Sequence, residues 1–360
     1  MRYSIESERQ KPAYMQLYEQ LRRDILQGVY PNGSKLPSKR LLAEESGVSV
    51  ITVEHAYGIL LDEGYIESRQ RSGYFIIYKE GDFLSGGVPT PSPLPQRRLQ
   101  SHGDSEFPFS ILAKTMRKVI TEYDADLLSA SPSRGCPELK NAICAYLARS
   151  CGIFVKSEQI VIGSGAEYLY SLIVQLLGND RIYAVEDPCY EKIRRVYELA
   201  GATVEGLKMG HDGIQSDLLQ KSRATVLHIT PFNSYPSGIT AGVSKRMEYL
   251  RFARERGGYI IEDNYDSELT VSRKNEDTVF SMAKDGSVIY LNTFSKTVAP
   301  SMRVGYMVLP EKLLCTFKEK LGFYACTVPT FEQYVLAELI TSGDFERHIN
   351  RVRRKRRKTL

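Results

Sequence analysis

From Phe107 onward the chain alternates short, almost wholly apolar β-type runs with segments of helical period. The runs are Ile160-Val161-Ile162, Ile182-Tyr183-Ala184-Val185, Val226-Leu227-His228-Ile229, Tyr259-Ile260-Ile261 and Val288-Ile289-Tyr290-Leu291. A strand with apolar residues on both faces has to be covered on both faces, and the intervening helical segments supply that cover. The pattern predicts an α/β unit built on a largely parallel, helix-covered sheet.

The first 78 residues follow different rules. Ala13, Leu17, Leu21 and Ile25 recur every four residues, the period of one buried helix face, and Gly28 and Pro31 end that helix. Ser38 is placed to cap a short helix carrying Leu41, Leu42 and Ala43, Gly47 breaks it, and Ser49 is placed to cap the next. That third helix is expected to bury Val53, Tyr57, Leu60 and Leu61 and to turn Val50, Thr52, Glu54 and His55 outward. Tyr65-Ile66-Glu67 and Tyr74-Phe75-Ile76-Ile77 then flank Ser68-Arg69-Gln70-Arg71-Ser72-Gly73, a hairpin with a basic tip. Three helices and a wing are predicted over residues 11–78.

Between these two regions, residues 79–105 lose all apolar periodicity. Ser85-Gly86-Gly87 precedes Pro89, Pro91, Pro93 and Pro95, the composition of a linker. At about 3.1 Å per residue such a segment extends several tens of Å, far enough to reach a second chain. Residues 106–360 form the second domain of this division.

Composition removes several classes. With 42% hydrophobic and 25% charged residues in 360, the chain is globular and large enough for two domains. No apolar run is long enough to span a bilayer, and the polar start lacks the apolar core of a signal peptide, so a cytoplasmic location is expected. Cys136, Cys144, Cys151, Cys189, Cys315 and Cys326 are scattered, without metal-ligand spacing, and are read as reduced, mostly packed thiols; no metal is expected. The net charge of +5 comes from a basic run at 351–358, which is read as a solvated helix face. Lys/Arg and Asp/Glu balance within residues 1–78, so a DNA-binding function there rests on pattern and not on bulk charge.

The order Leu36-Pro37-Ser38-Lys39-Arg40, Leu41-Leu42-Ala43, Val48-Ser49, Thr52-Val53, Ala56-Tyr57 and Leu60 resembles the GntR family of winged-helix regulators across residues 11–78. The resemblance implies binding of double-stranded operator DNA. Lys39, Arg40, Ser49 and Thr52 would meet phosphates, outward side chains of the third helix would meet base edges, and Arg69, Arg71 and Gly73 would serve the wing. The family often has Arg directly after the serine that starts the third helix; here that position is Val50.

In the second domain, Thr293-Phe294-Ser295-Lys296 follows a predicted strand, Arg303-Val304-Gly305-Tyr306 begins seven residues after Lys296, and Asp263 lies thirty-three residues before it in Glu262-Asp263-Asn264-Tyr265. These motifs resemble fold-type I aminotransferases, which use pyridoxal 5'-phosphate. That cofactor needs a lysine for its Schiff base, a carboxylate for its pyridine nitrogen, and cations and hydroxyls for its phosphate. The resemblance assigns Lys296 to the Schiff base, Asp263 to the ring nitrogen and Tyr265 to the phenolic oxygen. Thr293, Ser295 and Arg303 go to the phosphate. Ser164, Gly165, Ala166 and Glu167 open a helix where amides cradle a phosphate, with the Glu167 carboxylate expected to turn away. Tyr190 is the candidate for stacking on the ring, and Asn233 is a cofactor contact from Thr230-Pro231-Phe232-Asn233-Ser234-Tyr235-Pro236-Ser237-Gly238. That segment resembles the aminotransferase Asn-Pro-Thr-Gly loop but has Tyr235 before Pro236.

Winged helix, linker and aminotransferase-like domain together resemble the MocR-type subfamily of GntR regulators from about residue 11 to residue 360. The resemblance implies a homodimer with exchanged DNA-binding domains, and a transcription regulator that senses a small amine, amino acid or B6-related effector. A transaminase with an appended DNA-binding domain is the alternative. It also implies a C-terminal small domain that lies beyond Leu360, the last residue of this sequence.

Overall fold

The computed structural model describes Tyr3, Ile5 and residues 11–70, 72–79, 107–270 and 277–359. The proline-rich segment read as a linker, and Arg71 at the wing tip, lie outside the described residues. By internal packing the chain divides into two units, Met1–Arg98 and Leu99–Leu360.

The first unit packs α1 (Ala13–Leu26), α2 (Lys39–Ser46) and α3 (Val50–Asp62) against a hairpin of β1 (Ile66–Arg69) and β2 (Gly73–Ile76). The serine caps form as expected: Ser38 Oγ accepts from the Leu41 amide at 3.2 Å and Ser49 Oγ from the Thr52 amide at 3.1 Å. Gly47, in the left-handed region at φ 68°, ends α2 and makes the tight turn into α3. Leu17, Leu21, Leu42, Val53, Tyr57, Leu60, Ile66 and Ile76 make the core. Leu61, expected inside, is only half-buried, because 53, 56, 57 and 60 already fill the inward stripe. The wing gains an edge that the sequence did not suggest: residues 33–36 pair alongside β2, with Leu36 N donating to Tyr74 O and Ile76 N to Ser34 O, both at 2.9 Å.

Gly58 lies inside α3, and a Cβ built there meets nothing within 4 Å. Glycine in a helix interior costs roughly 0.5–1 kcal/mol relative to alanine. Gly58→Ala is therefore expected to stabilise this unit by about that amount in urea denaturation; a loss of stability would contradict the helix packing described.

The second unit opens with α4 (Phe109–Tyr123) and α5 (Pro137–Cys151). Strands and helices then alternate: β3 (Ile160–Gly163), α6 (Ala166–Leu177), β4 (Ile182–Asp187), α7 (Glu191–Leu199), β5 (Thr203–Lys208), α8 (Ser216–Lys221), β6 (Val226–Ile229), α9 (Val243–Glu255) and β7 (Tyr259–Asp263). After α10 (Val279–Met282), β8 (Val288–Thr293) and β9 (Gly305–Val308) complete the sheet, and α11 (Leu314–Leu321), α12 (Thr330–Thr341) and α13 (Asp344–Thr359) follow. The basic run 351–358 lies on α13.

The seven strands run in the order β3-β9-β8-β7-β6-β4-β5, all neighbours parallel except β9, which is antiparallel to both β3 and β8. Alternate residues serve opposite faces. Ile289, Leu291 and Met307 pack with Leu169 and Ile173 of α6 and Phe317 of α11, whereas Val288 joins Leu250 and Phe252 of α9. All strand neighbours inside the sheet are thus buried on both sides, which is why the central runs are so uniformly apolar.

The parallel strands place the ends of β4, β6, β7 and β8 at one edge of the sheet, the edge where open α/β sheets bind ligands. Glu186, Thr230, Asp263 and Thr293 all fall at those ends or within one residue of them.

Candidate functional site

At that edge lies a cavity of about 310 Å³. Ala166, Glu167, Tyr190, Asp263, Tyr265, Thr293, Ser295, Lys296 and Arg303, all candidates from the sequence, line it. Tyr170, Ile193, Thr230 and Tyr235 line it as well. Tyr170 sits one helical turn after Ala166, so its position follows from the helix period; Thr230 and Ile193 carry no local signal that would have singled them out. Ser164, Gly165 and Asn233 are not among the lining residues.

The floor is built around Asp263. Its carboxylate is 2% exposed and accepts from the Tyr170 hydroxyl and, at 3.2 Å, from the Tyr265 amide. His228 Nε2 lies 3.7 Å from Asp263 Oδ2, and the other ring nitrogen of His228 is 2.6 Å from the Tyr197 hydroxyl. Burial raises the Tyr170 and Tyr197 hydroxyls well above their ordinary range, so they remain protonated. Asp263 is therefore fixed at the cavity floor by the Tyr170 hydroxyl and the Tyr265 amide, a site for a protonated ring nitrogen or another cation of the same size.

Lys296 lies just past the end of β8, with Nζ 5.9 Å from the centre of the Tyr265 ring. Burial, followed by Asp266 and Asp263, pushes the Tyr265 hydroxyl up to about 12; it stays protonated and donates to the Asn233 carbonyl at 3.1 Å. Asn233 adopts φ 53°, and its side-chain amide donates to Asp266 at 2.8 Å, so it meets the site through its backbone, by way of Tyr265. Tyr190 is partly exposed and stands edge-on to Tyr235 at 6.3 Å between ring centres. The departure noted at Tyr235 thus places a second ring beside the stacking candidate.

The start of α6 carries the anion-binding features. Gly165 takes φ 94°, and a Cβ there would stand 2.7 Å from Arg303 Nη2, so only glycine lets the guanidinium reach the helix start. The expectation for Glu167 requires correction. Its carboxylate does not turn away but is bound to Arg303 and, at 2.9 Å, to Lys192. Burial alone would raise that carboxyl, but the hydrogen bonds from Lys192, the backbone and Arg303 together bring it down to about 2. The Ser164 amide is used by Thr327 Oγ at 3.2 Å. Among the described residues there is no group of three or more His, Cys, Asp or Glu able to hold a metal, and no helix is long and apolar enough to cross a membrane. All six cysteines are free, with Cys136 buried and Cys315 exposed.

In the first unit, Arg40 is exposed, whereas Lys39 is paired with Glu54 at 2.5 Å. Ser49 and Thr52 share a hydroxyl contact of 2.9 Å at the start of α3. Arg69 contacts Glu67 at 2.7 Å and lies over the Phe75 ring at 4.3 Å, and Gly73, at φ 107°, makes the turn of the wing.

Family models match both units: residues 13–76 match bacterial regulatory proteins of the gntR family, and residues 103–360 match aminotransferase class I and II. The chain is 33% identical to the uncharacterized HTH-type transcriptional regulator YdeL of Bacillus subtilis, over 96% of this chain and 77% of that one. It is 30% identical to the probable rhizopine catabolism regulatory protein MocR of Rhizobium meliloti, over 95% of this chain and 74% of that one. This chain belongs to the MocR-type GntR regulators.

A MocR-type chain is a transcription regulator that joins a DNA-binding winged helix to an aminotransferase-like domain, and this identity is favoured over that of a transaminase with an appended DNA-binding domain. The second unit of this MocR-type regulator has the aminotransferase fold. Its solved relative LysN, the α-aminoadipate aminotransferase of Thermus thermophilus complexed with N-(5'-phosphopyridoxyl)-L-leucine, superposes with a TM-score of 0.63 at 25% identity. That likeness covers 71% of this chain and 66%, just under two thirds, of LysN.

Proposed function

We propose that this regulator holds pyridoxal 5'-phosphate in the 310 Å³ cavity and uses it to sense a small amine, an amino acid or a B6-related compound, so as to alter its hold on double-stranded operator DNA. The observation that carries the proposal is the convergence of Lys296, buried Asp263 and Arg303 on one cavity at the sheet edge. The donor set fits the cofactor in kind: an amine for its aldehyde, a carboxylate for its ring nitrogen, and a guanidinium beside a helix start, approachable only over Gly165, for its phosphate. The cofactor supplies, when bound, an electrophilic aldehyde that captures amines. Lys296 would hold it, Asp263 would keep its ring nitrogen protonated, and Tyr190 would cover its face. Thr293, Ser295 and the helix start at Ala166 would complete the phosphate site.

In this arrangement residues 11–78 are the DNA-binding domain, 79–105 the linker and 106–360 the sensor. Two chains associate as a homodimer with exchanged DNA-binding domains, working in the cytoplasm where the operator lies. Coupling requires the effector to bind two conformations with different affinity, and the effect is reciprocal: effector changes DNA affinity by the factor by which DNA changes effector affinity.

The test is DNA affinity of the cofactor-loaded full chain, measured by fluorescence anisotropy across a panel of amines and amino acids. At least one compound is expected to shift the dissociation constant by about fivefold or more. Turnover of free amino and keto acids at enzyme-like rates, with no effect on DNA affinity, would overturn the sensor in favour of a transaminase.

Glu167 offers a second check. Its carboxylate competes with a phosphate dianion for Arg303 and Lys192, so Glu167→Gln is expected to tighten binding of inorganic phosphate roughly three- to fivefold, the scale of a partly exposed ion pair. Weaker binding in calorimetric titration would show instead that Glu167 is needed to hold Arg303 in place.

A further inference from the structure

The end of α3 that leads the helix-turn-helix is hydrocarbon where charge would be ordinary. Val50 and Ile51, its first two residues, are 43% and 65% exposed. The polar side chains around them already have partners. Ser49 and Thr52 bind each other at 2.9 Å, and Ser49 caps the helix. Glu54 is held by Lys39 at 2.5 Å, and the His55 ring stands edge-on to Tyr14 at 5.7 Å. The inward stripe of Val53, Ala56, Tyr57 and Leu60 is committed to the core, so Val50 and Ile51 cannot fold back into it.

A hydrocarbon side chain has one favourable partner among the base edges of the major groove, the C5 methyl of thymine. Against guanine it would cover the N7 and O6 acceptors, and against cytosine the N4 donor, leaving a polar group dry and unpaired. Resting on the DNA-binding function of the winged helix, we propose that Val50 and Ile51 are specificity-determining residues that read thymine methyl groups. They select an operator with thymine at the one or two base pairs under the start of α3. The same two residues discriminate against guanine there, because neither carries a hydrogen-bond donor.

Operators are obtained by selecting the full chain against a pool of random duplexes, and each thymine in the selected site is then replaced singly by deoxyuridine. That exchange removes only the methyl group and leaves base pairing intact. One or two positions per half-site are expected to lose about three- to fivefold in affinity, the worth of one buried methyl. In Ile51→Ala and Val50→Ala the same exchange should cost little or nothing, while the dependence of affinity on salt, which counts phosphate contacts, stays as in the wild type. Both side chains are exposed, so these variants are expected to fold. Selected sites with guanine under the helix start, or deoxyuridine tolerated at every position by a wild-type chain that binds tightly, would overturn the inference. Failure to retain any duplex at low salt is a different result, which would overturn the DNA-binding function and this inference with it.

Discussion

Lys296→Ala is expected to abolish retention of pyridoxal phosphate through dialysis, and with it the visible absorbance of the lysine-bound cofactor, while the far-ultraviolet circular dichroism stays unchanged. Lys296 is 5.9 Å from the Tyr265 ring centre and lines the same cavity as Asp263, Glu167 and Arg303. Asp263 is held by Tyr170 and the Tyr265 amide, and Arg303 by Glu167. Without the amine, what remains is stacking and ion pairing, which exchange with solvent. Lys296 is not packed into the apolar core, so its loss should leave the fold intact. Retention in Lys296→Ala at the wild-type level would mean that the cofactor is held elsewhere or by other means.

Tyr57→Ala is expected to destabilise the winged-helix unit by about 3–5 kcal/mol, the range for truncating a large buried aromatic. Tyr57 is fully buried, meets Tyr74 edge-on at 4.9 Å and donates to the Pro37 carbonyl at 2.9 Å. Truncation therefore opens a cavity and also leaves a carbonyl at the start of α2 without its partner. For a unit of this size, whose whole stability is on the order of 5 kcal/mol, that loss is enough to unfold it. DNA binding should vanish while cofactor absorbance persists, because the cavity belongs to the other unit. Tyr57→Phe keeps the ring and should cost only about 1 kcal/mol. Equal, small effects of the two substitutions on urea denaturation would contradict the packing described.

Much of this was legible in the sequence because the relevant constraints are local. A strand covered on both faces needs apolar residues at every position, which marks β4, β6, β7 and β8. The edge strand β5 escaped, since Thr203, Gly206 and Lys208 face solvent and interrupt any apolar run. The antiparallel direction of β9 was invisible for another reason: it is set by pairing with β3 and β8, which are distant in sequence from one another. Lys296, Asp263 and Arg303 were singled out by the resemblance of their motifs to aminotransferases, and the fold brings all three to one cavity. What Glu167 and Asn233 do with their side chains was not, because each is decided by a partner brought in by the fold, Arg303 and Asp266 respectively. Tyr170 was missed although its helix had been identified, because a tyrosine on a buried helix face has the same sequence pattern whether it meets a carboxylate or only hydrocarbon.

The central claim is that an aminotransferase-like cavity in a DNA-binding regulator holds its cofactor through Lys296. Its most direct test is to incubate the full chain with pyridoxal phosphate, reduce it with borohydride to make any lysine linkage permanent, and map the adduct by peptide mass spectrometry. The account predicts a single phosphopyridoxyl group per chain, on the peptide that contains Lys296. No adduct, or adducts spread over surface lysines such as Lys192 with Lys296 unmodified, would contradict it.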